Sequence, residues 1–233
     1  MEKPFLNHSF TACLLKNNHI FIGNNEKTES IRIYDFKGNK IKDITINKNY
    51  GFHSIQSFYD KKLKKNFVLL HSYKKISSFN YDENKLYQTY YKKEKETKGG
   101  AYFELIINEY ENIVKLIGAN SSLNMNPILY DIIIWNFHTG EKIKVIRSEE
   151  RLSPILLWNN EILFAIKTAY MINDNEDSSM SLVDLKNEEI IDNIIDFKKN
   201  QVHILKKIFH PNYGECLLVK GFNFKISLWK IKQ

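Results

Sequence analysis

Chemistry needs side chains of the right type held close together, and in this 233-residue chain the seven histidines, two cysteines and a few acidic runs are the candidates. The histidines fall at His8, His19, His53, His71, His138, His203 and His210, and no pair stands at metal-ligand spacing. Asp174-Asn-Glu-Asp177 has the carboxylates of a calcium loop but lacks its central glycine and its distal bidentate glutamate. The sequence contains no Gly-x-Ser-x-Gly, no phosphate-binding Gly-x-x-x-x-Gly-Lys-Ser/Thr and no His-Glu-x-x-His. Cys13 and Cys216 are too few and too far apart for a disulfide framework or a zinc site, which points to a reducing compartment. The expectation is no catalytic residue, no metal and no cofactor.

A net charge of +7 would ordinarily suggest an anionic partner. Lysine, asparagine, isoleucine, tyrosine and phenylalanine are all abundant, however, a bias that an AT-rich coding sequence produces without any such partner. The runs Lys61-Lys-Leu-Lys-Lys65 and Lys92 to Lys98 read as solvated loops, because the aromatics recur at strand period and do not cluster beside the lysines as a stacking platform would. Nucleic acid and anionic lipid are therefore not the expected partners. The N-terminal Met-Glu-Lys-Pro-Phe-Leu-Asn-His lacks the pattern of a secretory leader, and no apolar run approaches the ~20 residues of a membrane span. The expected location is the cytoplasm or the nucleus.

The elements that would position any site are strands. Hydrophobic residues make up 43% and aromatics 13% of the chain, weighted toward Ile, Phe and Tyr, which suits half-buried pleated surfaces. Five segments share one pattern: Ile31-Arg-Ile-Tyr-Asp-Phe36, Ile76-Ser-Ser-Phe-Asn-Tyr81, Ile132-Ile-Ile-Trp-Asn-Phe137, Met180-Ser-Leu-Val-Asp-Leu185 and Ile226-Ser-Leu-Trp-Lys-Ile231. Each is apolar at positions one, four and six, and four of the five carry Asp or Asn at position five. The fourth-position markers Tyr34, Phe79, Trp135, Val183 and Trp229 are separated by 45, 56, 48 and 46 residues, the spacing of a four-stranded repeat. Because both faces of this strand are apolar, each repeat must be covered on both sides. Four strands with turn signals between them can be placed in units 9-47, 52-91, 101-147 and 153-197, and three in unit 202-233. Lys92 to Gly100, Ala119 to Leu129 and Asn173 to Ser179 read as loops that interrupt the period.

Phe209-His-Pro-Asn-Tyr-Gly214 followed by Ile226-Ser-Leu-Trp229, together with Ile31-Arg-Ile-Tyr-Asp35 and Ile132-Ile-Ile-Trp135, resembles the WD40-repeat β-propeller family. The family's Gly-His pair has counterparts in Gly51-Phe-His53 and Val202-His203, and its Trp-Asp pair in Tyr34-Asp35, Trp135-Asn136, Val183-Asp184 and Trp229-Lys230. The resemblance implies an all-β propeller of about five four-stranded blade-like units, closed or open, forming a single domain over 1-233, with structural roles for His53 and His203. Trp135, Trp158 and Trp229 are expected to pack between blades. The last unit stops after its third strand, and residues 1-8 are the segment available to complete it, with Lys3 to Asn7 beside Lys225 to Ile231. In function the resemblance implies a non-catalytic scaffold that holds other proteins on its rim loops and axial face. The alternatives are a propeller-type hydrolase or lactonase, which needs carboxylates or a metal at axial strand starts such as Ser54, Tyr102, Ser153 and Val202, and a basic propeller that binds anionic lipid or RNA.

Overall fold

The computed structural model describes residues 10–24, 29–47, 52, 54–72, 75–92, 103–110, 113–120, 130–148, 151–168, 178–197, 202–221 and 225–230. These residues fold into five antiparallel sheets, each made of strands consecutive in the chain. The first holds β1 (Phe10–Leu14), β2 (Ile20–Asn24), β3 (Glu29–Tyr34) and β4 (Lys40–Asn47). The second holds β5 (Ser54–Asp60), β6 (Lys65–Ser72), β7 (Lys75–Asn80) and β8 (Lys85–Lys92). In the third are β9 (Phe103–Tyr110), β10 (Ile113–Asn120), β11 (Tyr130–Asn136) and β12 (Lys142–Ser148), and in the fourth β13 (Arg151–Leu157), β14 (Ile162–Thr168), β15 (Ser178–Asp184) and β16 (Glu189–Phe197). The fifth has three strands, β17 (Val202–His210), β18 (Gly214–Gly221) and β19 (Ile226–Lys230).

Local chemistry sets the turns. The Asp or Asn that follows three of the markers starts the hairpin into the fourth strand: Asp35 Oδ1 accepts from the amides of Lys37 and Asn39, Asn80 Oδ1 from Glu83, and Asp184 Oδ1 from Lys186 and Asn187. Asn18 and Asn84 take left-handed turn positions at φ 65° and 53°, as the shortage of glycine suggests, but Lys64 and Glu188 do so too, at φ 54° and 65°. Between third and fourth strands the register shifts beside the marker, at Ile33/Tyr34, Ser78/Phe79 and Ile134/Trp135, a bulge that adds twist.

The chain divides into two compact units, Met1–Tyr102 with Phe137–Glu141, and Phe103–Asn136 with Lys142–Gln233. In the first, Phe21, Ile31 and Ile33 interlock with Ile55, Val68, Leu70 and Phe79 of the neighbouring sheet. In the second, alternate residues of β14 feed two cores. Leu163 and Ala165 pack with Ile117, Ile132 and Ile134, while Phe164 and Ile166 pack with Leu205, Leu217 and Val219. A strand apolar on both faces is thus one shared between two neighbouring sheets.

Four sequence expectations need correction. Ala119, assigned to a loop, is buried in β10 opposite Ile132, because its small apolar side chain continues the alternation of Ile117. Ser178 and Ser179 belong to β15, and Lys92 ends β8, each extended by ladder pairing to the neighbouring strand. Trp229 is 38% exposed and so is not enclosed between sheets, since no described strand pairs with the outer edge of β19. Residues 1–8, His53, Asp174 to Asp177 and Lys93 to Lys98 lie outside the described residues, as does the side chain of His203.

Candidate interaction surface

The fifth sheet carries a concentration of exposed large apolar side chains. Phe209 is 77% exposed, Tyr213 54%, Ile226 65% and Leu228 40%, and all five residues of β19 are exposed. The β17–β18 hairpin positions the first two. Gly214, at φ 73°, closes the turn, the Asn212 amide donates to His210 Nδ1, and the His210 ring stacks on Tyr213 with centroids 4.6 Å apart. Behind the hairpin, Lys207 Nζ donates to the Trp158 carbonyl at 3.0 Å, pairs with Glu215 at 2.7 Å and lies 4.7 Å from the half-buried Trp158 ring. The other markers are interior or partly so: Phe79, Trp135 and Val183 are buried, and Tyr34 is half-buried.

Titratable side chains converge in the first unit, where a function would be hardest to read from sequence. Asp60, buried at the end of β5, accepts from the Leu63 amide at 2.7 Å and from His138 Nε2 at 3.1 Å. The Tyr87 hydroxyl lies 3.1 Å from His138 Nδ1 and donates to it when the ring is neutral. Phe137 meets the imidazole edge-on at 5.4 Å, and burial, with the Asp60 charge nearby, pushes the Tyr87 hydroxyl up. One oxygen of the carboxylate holds the Leu63 amide and the other the imidazole, whose second nitrogen meets the Tyr87 hydroxyl. The arrangement ties two turns together. His71 is buried with Nδ1 3.3 Å from Ser54 Oγ, and His19 contacts the Tyr81 hydroxyl. Among the described residues no group of three or more His, Cys, Asp or Glu could hold a metal ion.

A lysine at one register position of the fourth strand, opposite the residue before the marker, spans to the next sheet in each unit. Lys42, opposite Ile33, donates to Asn84 Oδ1 at 2.9 Å. Lys144, opposite Ile134, donates to the carbonyls of Leu185 and Lys186 at 3.0 and 3.3 Å and pairs with Glu188 at 2.7 Å. Each lysine borders a cleft, of about 430 Å3 at Lys42 and about 500 Å3 at Lys144. The larger cleft sets Lys115, Lys144 and Lys186 against Glu161 and Glu188, close to charge balance. Of the first lysine run, Lys61, Lys62 and Lys64 are exposed on the β5–β6 turn, while Lys65 pairs with Glu83, whose carboxyl Lys65 and then Lys85 hold down at about 2.

No protein-family model and no curated protein matches this sequence. Solved structures do match its fold. The Dos1 propeller superposes with a TM-score of 0.62 at 9% identity, covering 94% of this chain and 56% of that one. The β-propeller domain of Myceliophteria thermophila Cps50 (Swd1) gives 0.63 at 11% identity, covering 98% and 67%. BamB from Moraxella catarrhalis gives 0.53 at 12% identity, covering 94% and 58%. The fold is that of a β-propeller. The five sheets are its blades, and the chain spans 56% to 67% of the length of the propellers it matches. In blade terms the buried markers Phe79 and Val183 face the preceding blade, and the Asp or Asn after each starts the hairpin to the outermost strand. In the fifth blade Lys230 stands where the others carry Asp or Asn, and its outermost described strand is β19.

Proposed function

We propose that this protein is a non-catalytic scaffold of the cytoplasm or nucleus that binds other proteins, with the fifth blade as its contact surface. The observation that carries this reading is the set of exposed apolar side chains on that blade, Phe209 and Tyr213 on the hairpin and Ile226, Leu228 and Trp229 on β19. Exposed apolar groups gathered on one element are a mark of an interaction site, and aromatic anchors contribute much of the binding energy at such sites. Rigid blades support this use, since their loops carry little structural duty and can suit a partner.

The test is affinity capture from the native cell with crosslinking and mass spectrometry, comparing the parent chain with the double variant Phe209→Ser/Tyr213→Ser. Loss of specific partners from the variant, with crosslinks in the parent mapping to residues 206–230, is the expected result. A capture profile unaffected by the double variant, with crosslinks elsewhere, overturns the reading.

A further inference from the structure

The cleft beside Lys144, between the third and fourth blades, has an apolar floor and a polar rim. Ile117 and Ile134, buried members of the core these blades share, form the floor with Leu185, and Ile143, 49% exposed, forms a wall. The buried Asn108 fastens the third blade to the fourth there, its Nδ2 donating to the Asn160 carbonyl at 3.3 Å. At about 500 Å3 the cleft is of the size that holds a small organic molecule.

One residue of this cleft departs from the repeat. Lys115 lies on β10, the second strand of its blade, opposite Asn136, the residue after the marker Trp135. The same register position is Phe67 in the second blade, Ile162 in the fourth and Cys216 in the fifth. Phe67 and Cys216 are fully buried. Lys115 thus puts an ammonium group where three other blades put an apolar side chain. Two residues along the strand from Ile117, it shares that residue's face and points between the blades. It is half-buried, and among the described residues no carboxylate pairs with it. Of the two glutamates lining the cleft, Glu188 is held by Lys144 at 2.7 Å and Glu161 stands on the exposed β13–β14 turn. Partial burial of an ammonium group without a counter-charge costs stability, and departures of this kind from the local rules gather at functional sites.

We propose that this cleft binds a small monocarboxylate with an aliphatic body, its carboxylate on Lys115 Nζ and its hydrocarbon against Ile117, Ile134 and Ile143. The site is separate from the contact surface on the fifth blade and does not depend on it. Charge selects the head group. With Lys144 matched to Glu188, the cleft keeps Lys115 and Lys186 against Glu161, a surplus of one positive charge. One negative charge completes it, whereas a dianion such as phosphate would carry its second charge toward the two glutamates. The floor selects the body, since buried isoleucine side chains reward hydrocarbon and offer a polar tail no hydrogen bond.

The probe is 4-methylpentanoate, titrated into the full chain carrying 13C-labelled isoleucine methyl groups and read by NMR. Leucine, which adds an ammonium group to the same body, and 4-methylpentanamide, which removes the charge, are the comparisons. Saturable shifts of the Ile117, Ile134 and Ile143 methyls with a Kd of about 1 mM or tighter are expected, with leucine and the amide at least tenfold weaker. Lys115→Leu is expected to weaken binding tenfold or more and to melt no lower than the parent, because the repeat takes apolar residues at that position. Ile143→Glu, at an exposed wall, leaves Lys115 in place but supplies a carboxylate of its own, and is expected to weaken binding as much. No saturable shift in the folded parent overturns the proposal, as does binding undiminished in either variant. Leucine binding better than the acid assigns the cleft to a zwitterion, and the amide binding as well as the acid shows that Lys115 reads no charge; each overturns it. So does a Lys115→Leu chain that melts well below the parent, since the ammonium group would then serve the fold itself.

Discussion

At the residue scale, Asp35 and Asp184 hold the hairpins that follow their markers. Asp35 is held below its ordinary value of 3.8 first by the Asn39 side-chain amide and then by backbone amides, and Asp184 chiefly by the Asn187 amide. A carboxyl whose folded pKa is depressed stabilises the fold above its unfolded value, and that contribution is lost as pH falls through and below it. The parent chain is expected to lose melting temperature as the pH is taken from 5 to 3, and Asp35→Asn/Asp184→Asn to lose less over that range; equal losses would argue against these turns. Trp135 and Trp229 share one marker position but not one environment. Trp135→Ala, at a fully buried site, is expected to cost about 3–5 kcal/mol, and Trp229→Ala less than half of that, as denaturant melts would show. Burial pushes the Cys13 thiol up to about 12, so alkylation of the native chain at pH 8 is expected to be far slower than after denaturation.

At the scale of elements, blades are fastened by polar groups that no sequence pattern flags. Lys144 is mostly covered, and its ammonium group satisfies two carbonyls of the β15–β16 hairpin as well as Glu188. Lys144→Met keeps the aliphatic stem and removes those bonds, with an expected cost of about 1–2 kcal/mol by chemical denaturation. Asp60→Ala leaves the Leu63 amide and the His138 Nε2–H without their acceptor in a buried site, and about 2–3 kcal/mol of stability should go with it. A variant as stable as the parent would show that water replaces the carboxylate. These fastenings escape a reading of the sequence because Asp60, Tyr87 and His138 lie on different elements, and nothing local in the chain pairs them.

At the scale of the whole molecule, each described core is shared by two neighbouring blades, so destabilisation should stay local. Ile166→Ala, in the core between the fourth and fifth blades, is expected to speed amide exchange in β13–β19 well before β1–β8. Uniform acceleration across the chain would instead mark a single cooperative body.

The nineteen strands among the described residues were legible in their order in the sequence because strand identity is local: alternation, β-branched and aromatic content, and Asp, Asn or Gly at turns act within a few residues. The apolar character of both faces of Ile132 to Trp135 likewise announced coverage on two sides. What tertiary structure alone decided is which equivalent residues end up enclosed. Trp135 and Trp229 have the same place in the repeat, yet one is fully buried and the other exposed, because enclosure depends on whether a fourth strand lies alongside. Likewise Lys144 and Ile191 occupy one register position, and only the fold reveals that the first spans to a neighbouring hairpin while the second is left facing solvent. Burial is a property of neighbours supplied from elsewhere in the chain, which local sequence does not encode.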